Sequence, residues 1–180
     1  AAWTPKTKAV LVASPSNPTG TLLSLPELRA IHQVVRDRGG VLIVDEIYQG
    51  LVYDGDRMQT ALAVADDIFV INSFSKYFGM TGWRLGWLVA PKSCVATVDR
   101  LAQNIFLAAS TPTQHAALAA FTPETLDILE QRRRAFAERR DYLLPALRSL
   151  GFKILLTPRG AFYLYADCSS LTEDSFGFAA

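Results

Sequence analysis

The sequence predicts an α/β fold in which a three-layer, mainly parallel sheet is flanked by helices. Three short runs rich in β-branched residues, at 8–14, 41–45 and 68–73, are apolar on both faces, as is typical of strands buried in a parallel sheet. An amphipathic helical pattern separates the first two runs, which predicts a β-α-β unit. Half of the 180 residues are hydrophobic, so the chain can bury one substantial core.

The first helix has clear boundaries in the stretch "SLPELRAIHQVVRDRGG". Ser24 has the side chain of an N-cap, Pro26 is tolerated in the first turn, and Gly39 ends the helix. The fourth apolar run, at 84–90, follows the third too closely for a crossover helix, so we expect it to be antiparallel. Two further helices are predicted, at 91–107 and 112–121.

A long helix is predicted from Pro123 to Leu150, with a kink at Pro145. It is rich in arginine, which raises the question of a nucleic-acid site. Acidic residues are interspersed, and Glu130 and Arg134 have the spacing of a favourable i,i+4 pair. The pattern therefore predicts a solvated helix face.

Beyond Gly151 the pattern changes to two predicted strands, "FKILL" and "AFYLYAD", around a turn containing "TPRG". We expect them to begin a smaller α+β domain. The predicted organisation is a large domain at 1–122, a connecting long helix at 123–150, and the start of the small domain at 151–180.

Charge and cysteine content exclude several classes of protein. Lys and Arg number 18 and Asp and Glu 17, so the net charge of +1 gives no drive toward nucleic acid or an anionic membrane. Cys94 and Cys168 lie far apart without metal-ligand spacing, and the first residues lack the apolar core of a signal peptide. No apolar run reaches the roughly 18 residues that a membrane span needs. We expect a reducing, cytoplasmic setting with no metal site.

Polar residues follow three of the predicted strands, where ligands collect in α/β sheets. They are Asn17 in the rigid stretch "SPSNPTG", Asp45 after "VLIV", and Ser73 after "FVIN". Tyr48 lies three residues beyond Asp45, a spacing that returns it to the same side of a turn or short helix. Each residue also has a structural interpretation: Asn17 as a turn residue bonding its own backbone, Asp45 as a helix cap, and Tyr48 as core.

The stretch "NSFSKYFGMTGWRLGW" at 72–87 has the strongest chemical character. Lys76 lies among small and aromatic residues with no acidic neighbour in sequence, a setting that favours a neutral, nucleophilic amine able to form a Schiff base with an aldehyde. Ser73, Ser75 and Arg84 can supply hydroxyls and a guanidinium for a phosphate. The structural alternative is that Lys76 and Arg84 are ordinary surface charges.

Three motifs together, "SNPTG", "DEIYQGLVYDG" and "SFSKYFGMTGWRLGWLVAP", resemble the class I/II aminotransferases. These are pyridoxal phosphate enzymes with the aspartate aminotransferase fold. The motifs occur in order, and the resemblance extends to the long helix and to "GAFYLYAD".

The resemblance implies a role for each candidate residue. Lys76 would carry pyridoxal 5'-phosphate as a Schiff base and then move the substrate proton, and Asp45 would pair with the pyridine nitrogen. Tyr48 and Asn17 would bond the phenolic oxygen, with Asn17 aimed by a cis bond to Pro18. The residues implied for the phosphate are Ser73, Ser75 and Arg84.

The resemblance also implies transfer of an amino group between an amino acid and a 2-oxo acid, in a homodimer. It implies that the chain is part of a longer protein, inactive alone, because a phosphate-binding turn, a ring-stacking aromatic residue and the substrate-carboxylate arginine are expected before Ala1 or after Ala180. Two alternatives share the fold: the effector-binding module of a transcription regulator and a carbon-sulfur lyase. "TGWR" around Thr81 favours the aminotransferase, since the regulators tend to have proline at that position and the lyases typically lack "TGWR".

Overall fold

The computed structural model describes residues 3–55 and 59–180, and its centre is a four-stranded sheet in the order β1-β2-β3-β4. The first three strands are parallel and the fourth is antiparallel to the third, which confirms the α/β fold and the predicted strand directions. The ends of β1 and β2 are in register, because Ala13 pairs with Asp45. The strands are β1 (Ala9–Ala13), β2 (Val41–Asp45), β3 (Phe69–Ser73) and β4 (Gly86–Val89).

Helix α1 (Leu25–Asp37) covers one face of this sheet. It begins with a capping box, in which Ser24 accepts the backbone N–H of Glu27 and the Glu27 carboxylate accepts that of Ser24. Leu28 and Val35 of its apolar side are almost fully buried. They form the main core with the buried residues Leu42, Val44, Ala61, Ile68 and Val70.

The opposite face of the sheet is only partly covered, which corrects the expectation of strands buried on both faces. Leu11 of β1 is 66% exposed and Ile71 of β3 is 40% exposed. Successive side chains of a strand point to opposite faces. The residues that alternate with the core positions therefore face away from α1, and the described part of the chain packs no helix fully over them.

The predicted helices are present with shorter boundaries. A short 3-10 turn, Lys92–Cys94, precedes the helix that begins at Val95. The long helix that begins at Pro123 continues through Pro145, and the kink expected there stays a prediction. Of the helices in residues 3–55 and 59–180, none combines the length and apolarity needed to cross a membrane. The later helices are α2 (Val95–Ile105), α3 (Thr111–Ala119), α4 (Pro123–Ser149) and α5 (Ser175–Ala179).

One expectation for α4 is wrong, and a second is confirmed only in part. Glu130 pairs with Arg133 at 2.8 Å rather than with Arg134, because Arg133 lies on the side that faces the domain and also donates to Val52 O. The predicted solvated face is present at four exposed arginines, Arg132, Arg134, Arg139 and Arg148, but Arg140 is buried. Its guanidinium forms two bonds of 2.6 and 2.7 Å to Asp54 and a further bond to Pro158 O, so the helix face is held against the domain by charge.

The two strands predicted after Gly151 are also absent from the described residues. Only Lys153 and Asp167 pair, through backbone bonds of 2.9 and 2.8 Å. Between these two residues, the backbone forms hydrogen bonds with other parts of the chain: Gly160 N–H donates to Gly20 O, and Ala161 N–H donates to Leu51 O. These contacts replace the ladder that a hairpin would need. The division into large and small domains stays a prediction.

Candidate active site

The loop after β1 holds Asn17 at the edge of the sheet. The Asn17–Pro18 peptide bond is cis, as predicted, and Ser14–Pro15 is cis as well. Ser14 N–H donates to Asp45 O and Gly20 N–H donates to Ser16 O, so the loop is fixed at both ends. The exposed Asn17 side chain does not bond its own backbone; its Nδ2 donates to Tyr163 Oη at 3.4 Å.

Asp45 ends β2 beside this loop, and its side chain bonds the backbone of the turn that follows, not a helix as its structural alternative had it. Its Oδ1 accepts the Ile47 N–H at 2.9 Å, while Oδ2 has no hydrogen bond to any residue in the described ranges. The neighbouring Glu46 is buried and its Oε1 accepts the Ala61 N–H at 2.6 Å. The two adjacent carboxylates therefore bond to different parts of the chain, and Asp45 keeps one oxygen available for a ligand.

Tyr48 is buried beside Asp45, as the spacing predicted. Burial raises the pKa of its phenol well above the usual value, and a hydrogen bond with Tyr163 and the charge of Asp45 raise this pKa further. Tyr48 and Tyr163 share a hydrogen bond of 2.5 Å between their hydroxyl oxygens. Tyr48 therefore stays a protonated phenol at neutral pH and can act as a hydrogen-bond donor.

Lys76 is half-buried against aromatic rings. Its Nζ lies 5.8 Å from the centre of the Tyr48 ring and 5.7 Å from that of Phe162, within the range of cation–π contacts. The next residue, Tyr77, donates to Glu130 of α4 at 2.7 Å. It packs on Gly50 so closely that a Cβ there would lie 2.3 Å from its ring, so the backbone around Lys76 is tightly held.

The predicted phosphate residues lie in one turn after β3. Ser75 N–H donates to Ser73 Oγ at 2.9 Å, and the two hydroxyls are also 2.9 Å apart. Arg84 is exposed, has the left-handed φ of 55°, and donates to Thr81 O at 3.1 Å. The structure thus joins the two serines to each other, and the described Arg84 side chain forms no hydrogen bond with either of them.

The geometry joins Asn17 and Tyr48 through a residue that sequence reasoning missed, Tyr163. Lys76 lies beside the rings of Tyr48 and Phe162, the residue before Tyr163. This side chain and Phe162 lie in a stretch whose alternating pattern predicted only a strand. Tyr163 is 115 positions from Tyr48 and 146 from Asn17, so no local spacing could have identified the contact.

A comparison with protein families agrees with the motif resemblance and covers nearly the whole chain. The family model described as aminotransferase class I and II matches residues 1–177. This chain belongs to that family. The motif resemblance and the fold expected from it are thereby confirmed.

Named relatives of this chain belong with the same family by their names. It is 42% identical over 177 residues to valine–pyruvate aminotransferase of Mycobacterium tuberculosis, and 39% identical over 178 residues to a probable N-acetyl-LL-diaminopimelate aminotransferase of Bacillus subtilis. These alignments cover 98% and 99% of the chain and 46% and 45% of the relatives. The chain therefore spans about half the length of the curated relatives it matches.

Solved structures give the same fold. An aminotransferase from Mycobacterium tuberculosis superposes with a TM-score of 0.92 at 42% identity, covering 98% of this chain and 46% of that one. Aspartate aminotransferase from Thermus thermophilus, solved with maleate, has a TM-score of 0.87 at 35% identity, with 96% and 46% covered. At these identities the likeness extends beyond fold to sequence.

Proposed function

We propose that the protein carrying this chain is a pyridoxal phosphate-dependent aminotransferase that moves an amino group between an amino acid and a 2-oxo acid. The observation that carries the proposal is the position of Lys76 Nζ beside the Tyr48 ring, since the Tyr48 side chain also lies near Asn17 and the charge of Asp45. The aminotransferase names of the relatives given above support this activity over the regulator and lyase alternatives.

The donor set fits pyridoxal phosphate group by group. An aldehyde needs an amine, and Lys76 would hold the cofactor as a Schiff base. A phenolic oxygen needs donors, and the protonated Tyr48 phenol and the Asn17 amide supply them. A protonated ring nitrogen needs an acceptor, and Asp45 Oδ2 is free to accept within the part of the chain that the structure describes.

The phosphate would be held at the turn after β3. The Ser73 and Ser75 hydroxyls already face each other there, and Arg84 lies in the same loop with a guanidinium that can reorient from Thr81 O. The αL backbone of Arg84 fixes where its side chain leaves the loop.

When bound, pyridoxal phosphate supplies an electron sink for negative charge at the substrate Cα. The residues of this chain would orient the cofactor ring and control the protons at its ring nitrogen and at the substrate Cα. Asp45 would keep the ring nitrogen protonated, Tyr48 and Asn17 would fix the plane of the ring, and Lys76 Nζ would move the proton at the substrate Cα. We further propose that the protein acts as a cytoplasmic homodimer.

Borohydride reduction of the native protein with pyridoxal phosphate, followed by peptide mapping, tests the assignment. We expect the label on Lys76, and we expect Lys76→Ala to lose the visible absorption of bound cofactor. Lys92→Ala is the matched control, because Lys92 lies on the exposed 3-10 turn before α2. Label on Lys6, Lys8, Lys92 or Lys153 in place of Lys76 would contradict the proposal.

A further inference from the structure

The Tyr163 hydroxyl lies where two proposed cofactor ligands converge. Asn17 Nδ2 donates to it at 3.4 Å, and Tyr48 Oη lies 2.5 Å from it. A phenol oxygen carries one O–H donor and can accept further bonds. A single oxygen therefore connects two side chains that come from different strand ends of the sheet.

Tyr163 is positioned by the residues just before it, independently of its own hydroxyl. Ala161, two residues before Tyr163, is fully buried, donates its N–H to Leu51 O at 2.9 Å, and accepts a hydrogen bond from the Tyr53 hydroxyl. The adjacent Gly160 N–H donates to Gly20 O at 3.0 Å. The loop after β1 and the segment after β2 thus both fix the position of Tyr163.

The aromatic packing orients Tyr48 from two sides. Its ring meets Tyr163 edge to face, with centroids 5.6 Å apart, and meets Phe162 in the same manner at 5.3 Å. Phe162 also contacts Lys76 Nζ. The pair of aromatic residues therefore limits the rotation of the Tyr48 ring beside the lysine.

A count of donors gives the direction of the hydrogen bonds in a loaded site. If Tyr163 accepts one N–H of Asn17 and donates its own O–H to Tyr48 Oη, the Tyr48 O–H and the second Asn17 N–H both remain for a ligand oxygen. Donation into Tyr48 Oη also strengthens the bond that the Tyr48 O–H can donate onward. The opposite direction would use the Tyr48 proton on Tyr163.

We propose that Tyr163 is a positioning residue of the cofactor site, whose hydroxyl holds the Tyr48 phenol and the Asn17 amide in the orientation that donates to the phenolic oxygen of pyridoxal phosphate. This inference rests on the proposed function. Its physical basis is preorganisation: without the Tyr163 hydroxyl, two side chains must be ordered when the ligand binds, and the buried Tyr48 hydroxyl loses its 2.5 Å hydrogen bond.

The test compares Tyr163→Phe with Tyr165→Phe in the native protein. Tyr165 lies two residues further along the same segment, is 65% exposed, and its hydroxyl has no hydrogen bond to the residues that the structure describes. The first readout is the dissociation constant of pyridoxal phosphate without substrate, followed by absorbance. We expect an increase of about three- to tenfold in Tyr163→Phe, the size of one lost hydrogen bond, and no change in Tyr165→Phe.

The second readout needs no cofactor. In protein labelled with 13C at the tyrosine ζ-carbon, the Tyr48 resonance is assigned by its loss in Tyr48→Phe. We expect it to move in Tyr163→Phe and to stay in place in Tyr165→Phe, because only the first variant removes its hydrogen-bond partner. Thermal unfolding of both variants shows whether either has lost its fold.

The outcomes separate the two proposals. If the wild type binds pyridoxal phosphate at Lys76 and Tyr163→Phe binds it equally well, the positioning role is overturned while the proposed function stands. If the wild type does not bind the cofactor, the proposed function fails, and the positioning role toward that cofactor fails with it. An unmoved Tyr48 resonance in a folded Tyr163→Phe variant also overturns the role.

Discussion

Replacing Gly20 or Gly39 by alanine separates backbone strain from steric collision at the segment that carries Tyr163. Both glycines have left-handed φ angles, +66° at Gly20 and +65° at Gly39. A Cβ on Gly20 would lie 2.5 Å from Pro158 Cβ and 2.6 Å from Gly160 O, whereas a Cβ on Gly39 would meet nothing within 4 Å. The two substitutions therefore share a backbone cost and differ in packing.

The expected magnitudes follow from these distances. The left-handed conformation costs an alanine roughly 1–2 kcal/mol, offset by roughly 0.4–1 kcal/mol from the lower entropy of the unfolded chain, so Gly39→Ala should lower the free energy of unfolding by about 1 kcal/mol. Gly20→Ala adds an overpacking cost of about 1–3 kcal/mol. It also strains the bonds that Gly20 O accepts from Arg159 N–H and Gly160 N–H, at 2.9 and 3.0 Å. We expect Gly20→Ala to lower the free energy of unfolding by about 2–3 kcal/mol more than Gly39→Ala does.

Urea unfolding of the native protein, followed by tryptophan fluorescence, measures the difference between the two variants. Because Gly20 supports the segment of Tyr163, Gly20→Ala should also weaken pyridoxal phosphate binding, while Gly39→Ala should leave it unchanged. Equal losses of unfolding free energy in the two variants would refute the reasoning, since the collision at Gly20 would then have no cost.

Three further substitutions test the site and its surroundings. Asp45→Ala should retain the cofactor while lowering kcat by about 100-fold or more, because charge stabilisation is lost; an unchanged kcat would make Asp45 merely structural. Arg84→Ala should instead raise the cofactor dissociation constant by about tenfold or more, measured by absorbance titration, and an unaltered constant would remove Arg84 from the phosphate site. Burial raises the pKa of Glu46 above its usual 4.5, so the folded state binds this proton more tightly and the free energy of unfolding should fall as pH rises from 4.5 through the raised pKa. In Glu46→Gln the free energy of unfolding should depend less on pH over this range. A pH dependence equal to that of the wild type, measured by urea unfolding, would contradict the assignment.

Local patterns were sufficient for the parts of the fold that local interactions determine. The β-branched runs became strands, and Ser24 with Glu27 formed a capping box because both partners lie within one helical turn. The strand-end positions of Asn17 and Asp45 followed from the parallel sheet, which aligns Ala13 with Asp45. Such features depend on residues a few positions apart or on the regular geometry of the sheet.

The features that sequence reasoning missed depend on distant partners. The pattern of 152–167 predicted two strands, but within this segment only Lys153 and Asp167 pair, and the backbone at Gly160 and Ala161 bonds to Gly20 and Leu51. The helical pattern of α4 made Arg140 a surface residue, and only the fold reveals Asp54 as its partner. Neither Gly20 nor Asp54 lies near enough in sequence for a local pattern to identify the contact.

The link between Asn17 and Tyr163 has a consequence for the order of events during synthesis. The two residues are 146 positions apart, and ribosomes add roughly 5–20 residues per second, so Tyr163 is made about 7–30 s after Asn17. β1 is synthesised before that interval and α1 and β2 early in it, so their local contacts can form before Tyr163 is made. Until Tyr163 is synthesised, the Tyr48 hydroxyl of the nascent chain lacks its hydrogen bond with Tyr163. A cofactor that needs this pair should therefore bind poorly to nascent chains stalled before residue 163, and well only after the segment at 158–163 has emerged and docked.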